Sequence, residues 1–97
     1  MKKSDIQKQV EEFVCIHNAY NRTRNNARCD GIWVCMLDGI HVNEGIELFA
    51  GAVDKTITVH PMNLEDFKYE FSFVYKNVRF YQLSDKEELP EVVWDAD

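Results

Sequence analysis

The residue types that perform chemistry in enzymes are present in this chain, but their spacing does not match a metal-binding or catalytic motif. Six side chains could ligate zinc: Cys15, His17, Cys29, Cys35, His41 and His60. Structural zinc sites use closely spaced pairs of the C-x-x-C or H-x(3–5)-H kind, and no such pair occurs here. A cysteine nucleophile needs a positioned base and an oxyanion pocket, and no glycine-rich turn marks one. We therefore expect no catalytic residue, no metal and no cofactor.

The three cysteines predict reduced thiols rather than a disulfide scaffold, because their number is odd and small. Cys15 lies in an apolar helical pattern and Cys35 in an apolar strand pattern, so both are predicted to be buried. Cys29 lies in a polar stretch and is predicted to be the exposed, fastest-reacting thiol.

The C-terminal residues 85–97 form the first unusual surface. They hold six acids and one base, a charge of -5 out of the total of -6. Trp94 stands among these acids, and tryptophan is a frequent anchor of protein interfaces. The predicted partner-binding residues are Tyr81, Glu87, Glu88, Glu91, Trp94 and Asp95. In the alternative interpretation, Val92, Val93 and Trp94 fold back over an apolar outer sheet face at Val74, Tyr81 and Leu83.

The polar segment 18–28 is the second unusual surface. It contains a tyrosine, four asparagines and three arginines, whose guanidinium groups bind phosphate or carboxylate bidentately. The candidate anion-binding residues are Tyr20, Arg22, Arg24 and Arg28. The alternative is an ordinary helix end, where cations complement the helix dipole.

The elements that would position these residues can be read from the periodicity of apolar side chains. A spacing of three and four predicts a helix from about residue 4 to the low twenties, with the apolar set Ile6, Val10, Phe13, Val14, His17 and Tyr20. The turn Asp38-Gly39 predicts a hairpin between residues 32–37 and 40–42. A second helix is predicted over 44–53 with Asn43 as its N-cap.

The second half of the chain predicts strands. Residues 56–60 alternate and end at Pro61, residues 62–68 form a loop, and a hairpin joins 69–75 to 78–83. A two-residue loop at Lys76-Asn77 sets the register, with three pairs: Tyr75 with Val78, Phe73 with Phe80, and Phe71 with Gln82. The predicted core is Val10, Phe13, Trp33, Phe49, Phe71, Phe73 and Phe80.

Together these elements predict an α+β fold over residues 1–84, with helices on one face of a mostly antiparallel sheet that has no parallel crossovers, and an acidic tail over 85–97. A chain of 97 residues makes one domain. Its charge disfavours direct nucleic-acid binding, and no apolar run approaches the roughly 18 residues that a membrane span needs.

The run GIHVNEGIELFAGAV at 39–53 and the run FSFVYKNVRFYQL at 71–83 resemble small uncharacterised proteins of bacterial prophages and mobile elements. Residues 39–83 span about half of the chain. The resemblance carries over no catalytic residue. It implies a small, non-enzymatic protein that binds and inhibits a host defence factor, as anti-CRISPR and anti-restriction proteins do. The acids are concentrated in the tail, which argues against mimicry of DNA over the whole surface.

Three functional hypotheses follow. The first is an inhibitor that binds a basic host protein, such as a nucleic-acid-guided nuclease, through its acidic C-terminal region. The second is a protein that sequesters a small anionic ligand or nucleotide with the arginine segment. The third is a phage regulatory protein that binds nucleic acid through its basic N-terminal part. We expect the protein in the cytoplasm of a bacterial host; the sequence leaves its oligomeric state open.

Overall fold

Two helices and a four-stranded sheet make up the part of the chain that the computed structural model describes, residues 1–27 and 39–95. In chain order the elements are α1 (Lys3–Ala27), β1 (Ile40–His41), α2 (Ile46–Ala52), β2 (Thr58–Pro61), β3 (Tyr69–Tyr75) and β4 (Val78–Ser84). The strand order in the sheet is β1-β4-β3-β2. The α+β class predicted from the sequence is confirmed.

The hairpin of β3 and β4 forms in the predicted register. Tyr75 pairs with Val78, Phe73 with Phe80, and Phe71 with Gln82. Both turn residues have positive φ, 50° at Lys76 and 65° at Asn77, as a type I′ turn requires. The inner face of the hairpin is therefore the buried one, with Phe71, Phe73, Val78, Phe80 and Gln82.

The core lies between this face and the two helices. Phe80 is fully buried, and its ring stacks on Phe73 at 4.9 Å and meets Phe49 edge-on at 6.3 Å. Helix α1 contributes Ile6, Val10 and Val14. Phe13, which was predicted to be in the core, is 37% exposed and contacts Phe49 at the rim. Trp33 lies outside the described residues.

Helix α2 starts two residues later than the sequence predicts, at Ile46 rather than residue 44. Its N-cap is Gly45, with φ of 95° and no side-chain cap, so the assignment of Asn43 is wrong. The buried Gln82 side chain explains the difference, because its Oε1 accepts a hydrogen bond from the Ile46 N–H at 3.0 Å. A long-range partner thus satisfies a helix-start donor that a local cap would otherwise satisfy.

Strand β1 differs from the prediction in its pairing. It runs parallel to β4, with Ile40 opposite Phe80 and His41 opposite Tyr81, so the expectation of no parallel crossover is wrong. A Cβ on Gly39 would lie 2.2 Å from the Arg79 carbonyl oxygen, so only glycine permits this approach. The other half of the predicted hairpin, residues 32–37 with Asp38, lies outside the described residues.

Strand β2 begins at Thr58 and includes Pro61, where the prediction was residues 56–60. Because β2 is an outer strand of the described sheet, a proline there removes no hydrogen bond from the ladder. Among the described residues, neither helix combines the length and the apolar composition needed to cross a bilayer.

Candidate protein-binding surface

A cluster of negative charge on the described surface follows the end of β4. We call residues 85–91 the acidic segment. It carries Asp85, Glu87, Glu88 and Glu91 against a single base, Lys86, and all five side chains are exposed. The segment leaves the sheet through a turn in which the Lys86 N–H donates to Ser84 Oγ at 3.1 Å. The predicted partner-binding residues Glu87, Glu88 and Glu91 therefore lie in contact with solvent.

Two apolar side chains hold this segment on the body of the protein. Leu89 lies within it and Trp94 lies just after it, and both pack against the hydrophobic core. Trp94 lies over α2, because a Cβ built on Gly51 would be 3.3 Å from the indole Cζ2 and 3.8 Å from a Val92 methyl. The C-terminal residues thus fold back, but Trp94 contacts α2 instead of the outer sheet face.

Asp95, another predicted partner-binding residue, is engaged within the chain. Its N–H donates to the Met1 carbonyl oxygen at 2.9 Å, and its carboxylate forms an ion pair with the Met1 ammonium group. Asp95 thus joins the end of the described chain to Met1, which precedes α1, while Trp94 lies on α2. Asp95 is therefore paired within the chain, whereas the four acids of the acidic segment are exposed.

Tyr81 lies apart from these residues, on the outer face of the sheet. Its ring is stacked with His41 at 5.0 Å and 11° and carries the Arg79 guanidinium 4.8 Å from its centre. Arg79 in turn forms an ion pair with Glu70. The structure therefore does not bring Tyr81 together with the acidic segment; it belongs to a separate polar cluster. Val74, on the same face, is exposed.

The candidate anion-binding residues can be placed only in part. Tyr20, Arg22 and Arg24 belong to the C-terminal part of α1, and the structure describes nothing of their side chains. Arg28 lies outside the described residues. The two interpretations of this segment, anion site and capped helix end, both remain predictions.

The thiol prediction is corrected at Cys15. This cysteine is free and exposed, because the buried stripe of α1 runs through Ile6, Val10 and Val14 and leaves Cys15 beside it. Cys29 and Cys35 lie outside the described residues. Within residues 1–27 and 39–95, no group of three metal-ligating side chains comes together.

A hydrogen-bonded cluster joins α1 to the β3–β4 turn. The Tyr75 hydroxyl donates to Glu11 Oε1 at 2.5 Å, and Lys76 Nζ donates to Glu11 Oε2 at 2.9 Å. These two hydrogen bonds, that from Tyr75 first, lower the pKa of Glu11, and the bond to Glu11 raises the pKa of Lys76. The cluster is a surface clamp that fastens the helix to the sheet.

Residues 62–68, predicted only as a loop, carry exposed apolar side chains that their pattern did not single out as functional. Leu64 is 50% exposed and Phe67 is 40% exposed, and Val59 on the neighbouring strand is 44% exposed. The available signal was the presence of Leu64 and Phe67 on either side of the acidic residues Glu65 and Asp66.

Comparison with protein-family models, with curated proteins and with solved structures finds no match to this chain. The resemblance to proteins of prophages and mobile elements stays a prediction.

Proposed function

We propose that this protein binds a basic protein surface through its acidic segment and that, in the setting implied by the resemblance, it inhibits a host defence protein by occupying that surface. The observation that carries the proposal is the exposed cluster of Asp85, Glu87, Glu88 and Glu91, held in place by Leu89 and Trp94. A basic nucleic-acid channel has the complementary charge.

Charge and anchoring contribute separately to such binding. The acids attract a basic partner over several ångströms, which mainly raises the association rate and makes it sensitive to salt. Because Leu89 and Trp94 already hold the segment on the core, less conformational entropy is lost on binding than for a free tail. No enzymatic step is part of this proposal.

The experiment is phage plating on bacteria that carry an active CRISPR–Cas or restriction system and express the chain. The wild-type chain should raise the plating efficiency, and the variant Glu87→Gln/Glu88→Gln/Glu91→Gln should lose most of this effect. The matched control is Asp5→Asn/Glu12→Gln/Glu44→Gln, which removes the same charge at three exposed positions elsewhere. The control should protect the phage as the wild type does.

The variant Glu87→Gln/Glu88→Gln/Glu91→Gln should associate more slowly than the wild type with a purified effector that the chain inhibits. Its association rate should also depend less steeply on salt concentration. If this variant and the control lose protection of the phage equally, a role for the acidic segment is contradicted, because net charge alone would then explain the effect. Plating unchanged by the wild-type chain in every defence system tested would contradict the inhibitory function. Charge neutralisation is preferable to removing residues 84–97, because Leu89 and Trp94 contribute to the core.

A further inference from the structure

Three exposed apolar side chains lie along one part of the chain: Val59 within β2, and Leu64 and Phe67 in the loop that joins β2 to β3. The Met62 N–H donates to the Lys68 carbonyl oxygen at 2.7 Å, which closes the loop between β2 and β3. All four residues of β2 are exposed, and in the described sheet this strand pairs with β3 alone. We call the three apolar residues the corner patch.

The corner patch adjoins the acidic segment. The Lys68 N–H donates to the Ser84 carbonyl oxygen at 3.0 Å, and Tyr69 is paired with Ser84 in the sheet. Chain geometry therefore keeps the Cα atoms of Phe67 and Asp85 within about 15 Å of each other. Two remote parts of the sequence thus meet at the same end of the sheet.

The surroundings of the corner patch are acidic. Glu65 and Asp66 lie within the loop, and Asp85, Glu87 and Glu88 follow Ser84; all five are exposed. Two bases, Lys68 and Lys86, accompany them, so five acids and two bases leave a net charge of -3. Contiguous apolar surface rimmed by polar residues is typical of protein interaction sites, and the rim of such sites is polar and accessible to solvent.

We propose that the corner patch is the apolar centre of the protein's contact with its basic partner, with Phe67 and Leu64 inserted into an apolar depression bordered by lysines and arginines. This inference rests on the proposed function and deepens it. It assigns the desolvated contact to Phe67 and Leu64, because Trp94 is already used in packing against α2. The acids of the loop and of the acidic segment supply the surrounding charge complementarity.

A second copy of the chain fits this surface less well. A two-fold contact centred on the corner patch would bring two identical borders, each of net charge -3, against one another. Like charges in such a contact oppose association. The partner is therefore a protein with opposite charge around an apolar centre.

The test uses two synthetic probes of equal positive charge, an amphipathic leucine–lysine helical peptide and an oligolysine. The wild-type chain should bind the leucine–lysine peptide more tightly than oligolysine. Leu64→Ser/Phe67→Ser should weaken binding of the leucine–lysine peptide about tenfold, as expected for loss of an interface anchor, and leave oligolysine binding unchanged. The control Ile16→Ser/Val74→Ser, at two exposed apolar positions elsewhere, should bind both peptides normally.

Amide NMR shifts provide a second measurement that depends on no variant. Addition of the leucine–lysine peptide should perturb residues 59, 64–68 and 85–88 together, and shifts clustered elsewhere would overturn the inference. Equal binding of the leucine–lysine peptide by wild type and by Leu64→Ser/Phe67→Ser would also overturn it while leaving the charge-based function standing. Failure of the wild-type chain to bind either peptide would count against both. A concentration-dependent dimer that Phe67→Ser abolishes would assign the corner patch to self-association instead.

Discussion

Trp94→Ala should destabilise the protein. Trp94 follows the last strand in the chain, and its indole packs on Gly51 of α2 and against the hydrophobic core. A tryptophan side chain buries roughly 150–250 Å² when it packs fully, which at about 25 cal/mol per Å² sets an upper limit of roughly 4–6 kcal/mol. Trp94 is only partly buried and the neighbouring chain can relax, so we expect a loss of about 2 kcal/mol, below the range for fully buried aromatic residues. In a domain of this size that loss lowers the melting temperature by about 8–16 °C.

Thermal and urea denaturation followed by circular dichroism measure this change. The matched control is Val93→Ala, since Val93 is the preceding residue and is 77% exposed; its stability should stay within about 0.5 kcal/mol of the wild type. If Trp94→Ala and Val93→Ala melt at the same temperature as the wild type, the packing of Trp94 on α2 is refuted. Trp94 would then be free to act as the interface anchor that the sequence first suggested.

Three further predictions follow from other parts of the fold. Phe73→Ala should cost about 3–5 kcal/mol in urea denaturation, whereas Val74→Ala, one residue along and on the exposed face, should cost less than about 1 kcal/mol; equal losses would contradict the register of β3. Glu11→Gln should make the stability of the protein less dependent on pH. Because the folded-state pKa of Glu11 is lowered, its ionised carboxylate stabilises the fold fully above the unfolded-state pKa. This stabilisation is lost as the pH falls through the lower folded-state pKa. Melting temperatures measured from pH 6 down to pH 3 should therefore fall less steeply for Glu11→Gln than for the wild type, and parallel curves would argue against the Tyr75–Glu11–Lys76 clamp. Cys15→Ser should remove about one equivalent of thiol that reacts quickly with Ellman's reagent under native conditions, and an unchanged thiol count would show that Cys15 is protected.

Local patterns in the sequence were sufficient for the hairpin of β3 and β4. Alternation of apolar residues selects the inner face, and a two-residue turn allows only one register, so Phe73 faces Phe80 without reference to the rest of the chain. The predicted start of α2 and the predicted bounds of β2 were less accurate. Their ends depend on Gln82, which caps Ile46 from β4, and on the position of β2 at the edge of the sheet.

The sequence was enough to predict which residues give the surface its charge, but not which side chains of α1 are buried. The concentration of acids after Leu83 is a property of the sequence, and those acids are exposed. The periodicity of α1 also placed Cys15 and Phe13 with the apolar residues, but the helix buries a narrower stripe than the pattern allows. How far a helix is rotated toward the core depends on the elements that cover it, and these come from distant parts of the chain.

The sequence by itself determined the α+β class, the central hairpin and the location of the negative charge, because each follows from composition or from contacts between near neighbours. Only the tertiary structure decided that β1 runs parallel to β4, that Trp94 packs on Gly51 and that the 62–68 loop lies beside Ser84. These contacts join residues about 15 to 45 positions apart. Their geometry depends on how the helices pack on the sheet and on where a glycine allows close approach, which no local spacing encodes.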